Sequence, residues 1–258
     1  MKRIHAFEFE DLQWFPKNIR NYMTDFLQFG ANTFDIYKSI VPILNKGIQN
    51  SGTNRIIDLA SGGGGGWLKL VQHLVQDNPD LKITLSDYYP NTAAFKRTKA
   101  KLPRSFDYIN DPVDAMNVPI DLKGFRTQFL SLHHFRPSEA KAILQNAVDT
   151  NQPIGIFEAQ QRDIKSLVPM LLSPISVILM TPFIKPFRLD RLLFTYIIPI
   201  LPLFILWDGV ISVFRTYTTK ELQKMTSELD NSNHFDWEIG TTKGKPSQIL
   251  YVLGIPEN

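Results

Sequence analysis

Residues Asp58-Leu59-Ala60-Ser61-Gly62-Gly63-Gly64-Gly65-Gly66 carry the clearest chemical signal in the chain. They follow an apolar run, residues 55–60, that reads as a buried strand. They precede residues 67–75, where Trp67, Leu70, Val71 and Leu74 recur on one helix face. A glycine turn between strand and helix lets a cofactor lie against bare backbone at the carboxyl edge of a parallel sheet. Five glycines exceed the need of one tight turn. A flexible linker is the plain alternative, and the strand-turn-helix setting argues against it.

The string resembles motif I of the class I S-adenosylmethionine (SAM) dependent methyltransferases, an acidic residue followed by x-G-x-G-x-G. Asp58 takes the acidic position, Ala60 stands where the first glycine would be, and Gly62 and Gly64 take the second and third, with Ser61 between Ala60 and Gly62. The glycine run leaves the register open by one residue. An acid on the first strand suits SAM, whose amino group and sulfonium are cationic. NAD presents an anionic pyrophosphate to the helix N-terminus, so the acid suits it less. The resemblance implies a ribose-binding carboxylate at Asp87, with Tyr88 beside it, 23 residues past Gly64. An ionised carboxylate accepts two hydrogen bonds at once. NAD enzymes also use an acid there, so Asp87 by itself points to a nucleoside.

The resemblance further implies that Asp114 accepts from the adenine amino group and that the Ala115 amide meets a ring nitrogen. Asp111 is a rival for the acidic role, and either acid could instead be a solvated loop residue. The fourth strand ends Phe129-Leu130-Ser131-Leu132-His133-His134-Phe135. This is similar to the strand-four end of many small-molecule methyltransferases, which implies that Phe129 and Leu130 flank the methionyl part of SAM. His133 or His134 could act as a general base, since histidine titrates near neutrality. Loop-holding hydrogen bonds are the plainer role. Neighbours on a strand end point to opposite sides, so the pair is expected to bind no metal.

Asp208, Arg215 and Tyr217 stand out as polar residues in or beside an apolar stretch, where they must be paired or face a ligand. Asp208 and Arg215 are seven apart and would share one helix face. They read either as a buried ion pair or as pocket residues, Arg215 for an anionic group and Asp208 for a hydroxyl or amine. Glu158 is a further pocket candidate.

These residues need a frame to hold them. Residues 1–50 read as helical, with Tyr22, Phe26, Phe29, Phe34, Ile36, Tyr37, Ile40, Val41 and Leu44 at helical spacing. From residue 55 onward strands alternate with helices. Strands are expected at 82–87, 106–109, within 124–132 and at 153–159, and helices at 91–101 and 138–148. This alternation predicts a parallel sheet with right-handed crossovers. A capping box at Thr218 and Glu221 opens a helix over 218–229. Strands at 235–241 and 248–255, joined through Lys243-Gly244-Lys245-Pro246, predict an antiparallel closing hairpin. The expected fold is α/β and Rossmann-like, a seven-stranded, mostly parallel sheet. Residues 1–50 would form a helical cap and residues 51–258 the SAM-dependent methyltransferase domain, with an apolar insertion over 166–217.

That insertion is the unconventional part. Residues 166–207 hold four charges (Lys185, Arg188, Asp190 and Arg191), six prolines and 27 apolar residues. The uncharged run 166–184 is 19 residues long, and Pro169, Pro174 and Pro182 interrupt it. A spanning helix needs about 20 apolar residues, and interior prolines break helices. Broken helices are expected, packed as a lid over the cofactor site, with a subunit interface or a membrane surface as the other coverings. An apolar lid implies an apolar or amphipathic small-molecule acceptor.

Composition bounds the rest. The chain has 258 residues, 28 basic against 25 acidic, and no cysteine. Thiol chemistry, zinc fingers and disulfides are excluded. Without a dense basic block, nucleic acid is not the expected partner. The opening MKRIHAFEFEDLQWF lacks the uninterrupted apolar run of a leader, so a cytoplasmic setting is expected, with membrane-peripheral association as the alternative. No tyrosine has a lysine four residues on, which counts against a short-chain NAD(P)-dependent oxidoreductase. The expectation is a SAM-dependent methyltransferase. A non-catalytic apolar-ligand or membrane-docking module on the same fold is the second class of function.

Overall fold

A computed structural model describes residues 1–244 and 247–257. After a 3-10 turn at Phe9–Asp11 come α1 (Lys17–Thr33) and α2 (Val41–Ser51). The alternating part runs β1 (Arg55–Leu59), α3 (Trp67–Leu74), β2 (Lys82–Leu85), α4 (Thr92–Lys101), β3 (Phe106–Tyr108), β4 (Phe125–Phe129), α5 (Pro137–Asp149) and β5 (Ile154–Glu158). The insertion holds α6 (Ile164–Leu171), α7 (Ser173–Met180), α8 (Leu189–Leu192) and α9 (Ile200–Arg215). Then follow α10 (Thr219–Ser227), β6 (Phe235–Thr242) and β7 (Ile249–Pro256).

The seven strands form one sheet in the order β3-β2-β1-β4-β5-β7-β6. The first five are mutually parallel, and β7 runs antiparallel to both β5 and β6. Chain order reverses between β1 and β4. That switch point opens a crevice at the carboxyl ends of the strands, where ligands of such sheets bind. Of the turn read between the last two strands, Lys245 and Pro246 lie outside the described residues.

Strand alternation assigns each residue to a face. Ile56 points to one layer with Leu44 and Ile48 of α2, Trp67 and Leu70 of α3, and Phe95 of α4. Its neighbour Ile57 points to the other layer, with Ile143 and Leu144 of α5 and Leu222 of α10. The expected capping box is present: Thr218 Oγ1 accepts from Glu221 N, and Thr218 N donates to Glu221 Oε2 at 2.8 Å. Phe34 caps the C-terminus of α1 and is exposed, outside the helical face its spacing predicts.

The insertion breaks where its prolines fall. Pro174 sits in the first turn of α7, Pro182 lies in a 3-10 turn, and Pro199 is the N-cap of α9. These are positions where a missing N–H is tolerated. Pro169 lies inside α6, which ends two residues later. One side of the insertion packs on α1: Val177, Ile184, Leu201 and Ile205 meet Ile19, Met23 and Phe26. The opposite side is open, so the covering is one-sided.

An ion pair ties the insertion to α1 and α4. Asp25 on α1 accepts from Arg191 at 3.1 Å and from Arg97 at 2.9 Å, and Arg191 is fully buried. Asp25→Ala would leave Arg191 buried without its counter-charge, a loss of about 3 kcal/mol. Urea unfolding of the variant checks it. A midpoint equal to that of the parent chain would show that the pair does not hold the insertion down.

Candidate cofactor and acceptor site

The glycine loop leaves β1 through a series of left-handed residues: Ala60 at φ 52°, Gly62 at 54°, Gly64 at 94° and Gly65 at 45°. Glycine adopts these values freely, whereas Ala60 pays a steric penalty for taking the conformation of the glycine it stands for. Asp58 braces the loop from beneath. Ser61 Oγ donates to its Oδ2 at 2.6 Å and Thr127 Oγ1 to its Oδ1 at 2.8 Å. Burial pushes the Asp58 carboxyl up to about 7, against the pull of those hydroxyls. From above, α1 clamps the loop. Gln28 Nε2 donates to Gly63 O at 2.5 Å and Asn32 Nδ2 to Gly65 O at 2.8 Å, while Asn32 Oδ1 accepts from Lys69 N.

Beside this loop lies a cavity of about 670 Å³. Its walls include Ala60, Ser61 and Gly62 from the loop, Asp87 and Tyr88 after β2, Asp114 and Ala115 after β3, and Phe129 and Leu130 at the end of β4. Asp58 and Gly64 are not on the wall. Gly64 instead faces Gln28 of α1, where a Cβ would come 3.0 Å from its Nε2. Asp111 also lies outside, leaving Asp114 as the acid at this edge. Asp87 is held by two backbone amides, Gly62 N to Oδ2 and Tyr89 N to Oδ1, both at 2.8 Å. Burial raises its pKa, opposed by those amides. Each oxygen keeps a further lone pair for a ligand hydroxyl. The wall also carries Glu10, Asp11 and Glu139, so its charge is predominantly negative and suits a cation.

Sequence reasoning passed over the α1 residues Thr24 and Gln28 and the N-terminal Glu10 and Asp11, all of them on this wall. The available signal was Gln28 and Asn32, four apart in an otherwise apolar pattern and therefore on one helix face.

A second cavity, of about 260 Å³, adjoins the first; Glu10, Leu130, His134 and Met170 line both. Met23, Phe26, Met180 and Ile205 give it apolar walls, and Glu8, Asp208 and Ser212 are among its polar groups.

His133 and His134 do not point to opposite sides. Leu132–His134 is a 3-10 turn, not strand, so the two rings lie 4.3 Å apart. His133 Nδ1 pairs with Glu158 Oε2 at 2.8 Å, and both are buried. His134 Nδ1 pairs with Asp11 at 2.7 Å, and its Nε2 lies 3.4 Å from Glu10 Oε1. Burial works against a charged His134, but Glu8, Asp11 and Glu10 outweigh it and push the ring up to about 10. Asp11 is held well below the usual carboxylate range by His134 and Arg215, against burial. Glu8, His133 and His134 bring donor atoms within 4.8 Å of one another, a spacing a metal ion accepts. The Arg215 guanidinium already serves as a cation there, its Nη1 3.0 Å from Glu8 Oε1.

Asp208 and Arg215 share a face of α9 but do not pair with each other. Asp208 accepts from the backbone amides of Phe9 at 2.7 Å and Glu10 at 3.2 Å. Burial pushes its carboxyl up to about 7. Arg215 donates to Asp11 at 2.6 Å and to the carbonyls of His133 and His134. Its place is behind the cavity walls. Tyr217 is also behind them, donating to Phe135 O at 2.7 Å with Arg3 stacked over its ring.

No protein-family model matches the sequence, and no curated protein matches it. Solved structures do. PigF, solved with S-adenosylhomocysteine (SAH), aligns at a TM-score of 0.51 and 14% identity over 97% of this chain and 63% of its own. An O-methyltransferase family protein from Burkholderia thailandensis aligns at 0.50 and 13%, over 89% and 59%. The pyocyanin biosynthetic protein PhzM aligns at 0.50 and 12%, over 86% and 55%. The chain thus spans less than two thirds of the length of these three proteins. Strand order, glycine turn and these likenesses together show that the chain has the fold of the class I SAM-dependent methyltransferases.

Proposed function

We propose that the protein is a SAM-dependent methyltransferase with a small apolar or amphipathic acceptor. The observation that carries this reading is Asp87, fixed on the wall of the larger cavity by two amides, with lone pairs left for a ribose diol. The excess of acidic over basic groups on that wall, Glu10, Asp11, Asp87, Asp114 and Glu139 against Arg20 and His134, fits a ligand bearing a sulfonium and an ammonium group. Asp87 would hold the ribose, Asp114 and the Ala115 amide the adenine, and the glycine loop the amino-acid end. SAM supplies an electrophilic methyl carbon and most of the driving force.

The protein's part is alignment and exclusion of water. The acceptor would occupy the smaller cavity, between Phe26, Met170, Met180 and Ile205, with its reacting atom toward the shared wall. An acceptor hydroxyl or amine loses a proton as its new bond to carbon forms. Asp11 at 2.7 Å and Glu10 at 3.4 Å occupy both ring nitrogens of His134 and favour its imidazolium form, which has no lone pair to take that proton. Glu10 lines both cavities, and its backbone amide is anchored on Asp208. Burial raises its pKa, so its carboxylate is the stronger base. We assign Glu10 the proton-accepting role and His134 the role of holding Glu10.

Asp87→Ala is expected to weaken SAH binding by about 1–3 kcal/mol, the penalty for leaving ligand hydroxyls without their acceptor. Calorimetry on the folded variant decides it, and an unchanged affinity removes Asp87 from the ribose. Gly62→Val places a branched side chain on the cavity wall at a φ of 54° and is expected to abolish SAH binding. Normal affinity in that variant would leave the glycine loop without a cofactor.

The His134 ring should titrate near 10 when followed by NMR. The sign follows from linkage. The unfolded ring releases its proton near 6.5 and the folded ring only near 10. Its contribution to stability is therefore complete below about 6.5 and lost as pH rises through 10. A ring that titrates below 7 in the folded protein would restore His134 as the base.

A further inference from the structure

The insertion leaves a continuous apolar stripe uncovered. Ile164, Val168 and Leu171 on α6 continue into Ile175 and Leu179 on α7, every three or four residues across a 42° bend. Ile164, Leu171, Leu179, Phe183, Leu189 and Ile197 are each more than 60% exposed. This is the pattern of an amphipathic helix pair whose apolar side has no partner within the chain. No single helix of the described residues is long and apolar enough to cross a membrane.

Charge decides what covers the stripe. Lys165 and Lys185 stand exposed at the two ends of the uncharged run 166–184, and beyond it Arg188 and Asp190 pair with each other. In a twofold contact between two copies these like charges would be brought to the same interface without an acidic partner from the stripe. Anionic lipid headgroups complement both lysines while the acyl region receives the apolar side chains. Exposed Tyr196 and Trp207, on the same insertion, are residue types that settle at the bilayer interface.

We propose that the outer face of α6, α7 and the segment leading to α8 docks in the plane of an anionic lipid bilayer. Docking stands on this surface alone. A second step rests on the methyltransferase reading: the inner faces of the same helices, through Met170, Ser173 and Met180, wall the smaller cavity, so a lipid-dissolved acceptor enters it from the bilayer.

The test is flotation with vesicles of phosphatidylcholine alone or with phosphatidylserine added, run beside light scattering and SAH calorimetry. The parent chain is expected to float with the serine-containing vesicles. Lys165→Gln with Lys185→Gln should lower partitioning roughly thirtyfold, and Leu171→Asp with Leu179→Asp should abolish it. All these positions are exposed and off the cavity walls, so SAH affinity should be unchanged in each variant. A parent chain that stays with neither vesicle overturns the proposal. So does a dimer that dissociates on Leu171→Asp with Leu179→Asp and never floats, which assigns the face to a second copy. Flotation without SAH binding would keep the docking and end the methyltransferase reading.

Discussion

Arg215 ends α9 at 1% exposure, so its guanidinium must find every hydrogen-bond partner inside the protein. It finds them on three different pieces of chain. Glu8 and Asp11 come from the N-terminal segment, the carbonyls of His133 and His134 come from the turn after β4, and Arg215 itself brings the insertion. Asp208, two turns earlier on the same face, accepts from Phe9 N and Glu10 N. A charge that cannot reach water thus draws the N-terminal segment across the end of β4. That placement puts Glu10 and Asp11 on the wall of the larger cavity. The same segment is also pinned by Arg3, which donates to Phe135 O at 2.9 Å, and by the Phe9 ring packed on Phe204.

The remainder of the site follows from topology. Strand order reverses between β1 and β4, and the loops after these strands diverge to open the crevice. Both loops carry non-glycine residues in left-handed conformations, Ala60 at φ 52° and Leu130 at 49°. Such strain persists only where the surroundings enforce it. At Ala60 the enforcement is Asp58 below, through Ser61, and Gln28 and Asn32 above, through Gly63 and Gly65. At Leu130 it is the bond from its amide to Phe157 O in the neighbouring strand.

The sheet and its ligand edge were legible because their signals are local. Strand β1, the glycine run and α3 adjoin in sequence, and Asp87 and Asp114 lie in the loops that follow the readable strands β2 and β3. Asp58 was legible as important but not in its role. Its partner Thr127 lies 69 residues away, and no spacing rule shows that a hydroxyl from β4 will meet it. The histidine pair was misread in orientation, because β4 ends at Phe129 and residues 132–134 turn as a 3-10 helix instead of extending the strand. The prolines of the insertion marked its breaks correctly. Which side of each short helix would be covered depends on α1, more than 130 residues upstream, and no pattern within residues 166–207 encodes it.

The two cavities differ in the physics they offer. Both have mainly apolar walls, but the larger one adds glycine backbone and the carboxylates of Asp11, Asp87, Asp114 and Glu139, while the smaller one is walled mostly by methionine, phenylalanine and aliphatic groups. On the proposed reading, these carboxylates favour the cationic donor in the larger cavity, and the apolar side chains of the smaller one favour a neutral acceptor. Where they meet, His134 and Glu10 form an ion pair in a poorly solvated setting, and such a pair gains strength as water is expelled. An apolar acceptor filling the smaller cavity would expel that water itself. Its own arrival would then lower the dielectric around the sulfonium and tighten Glu10 in place.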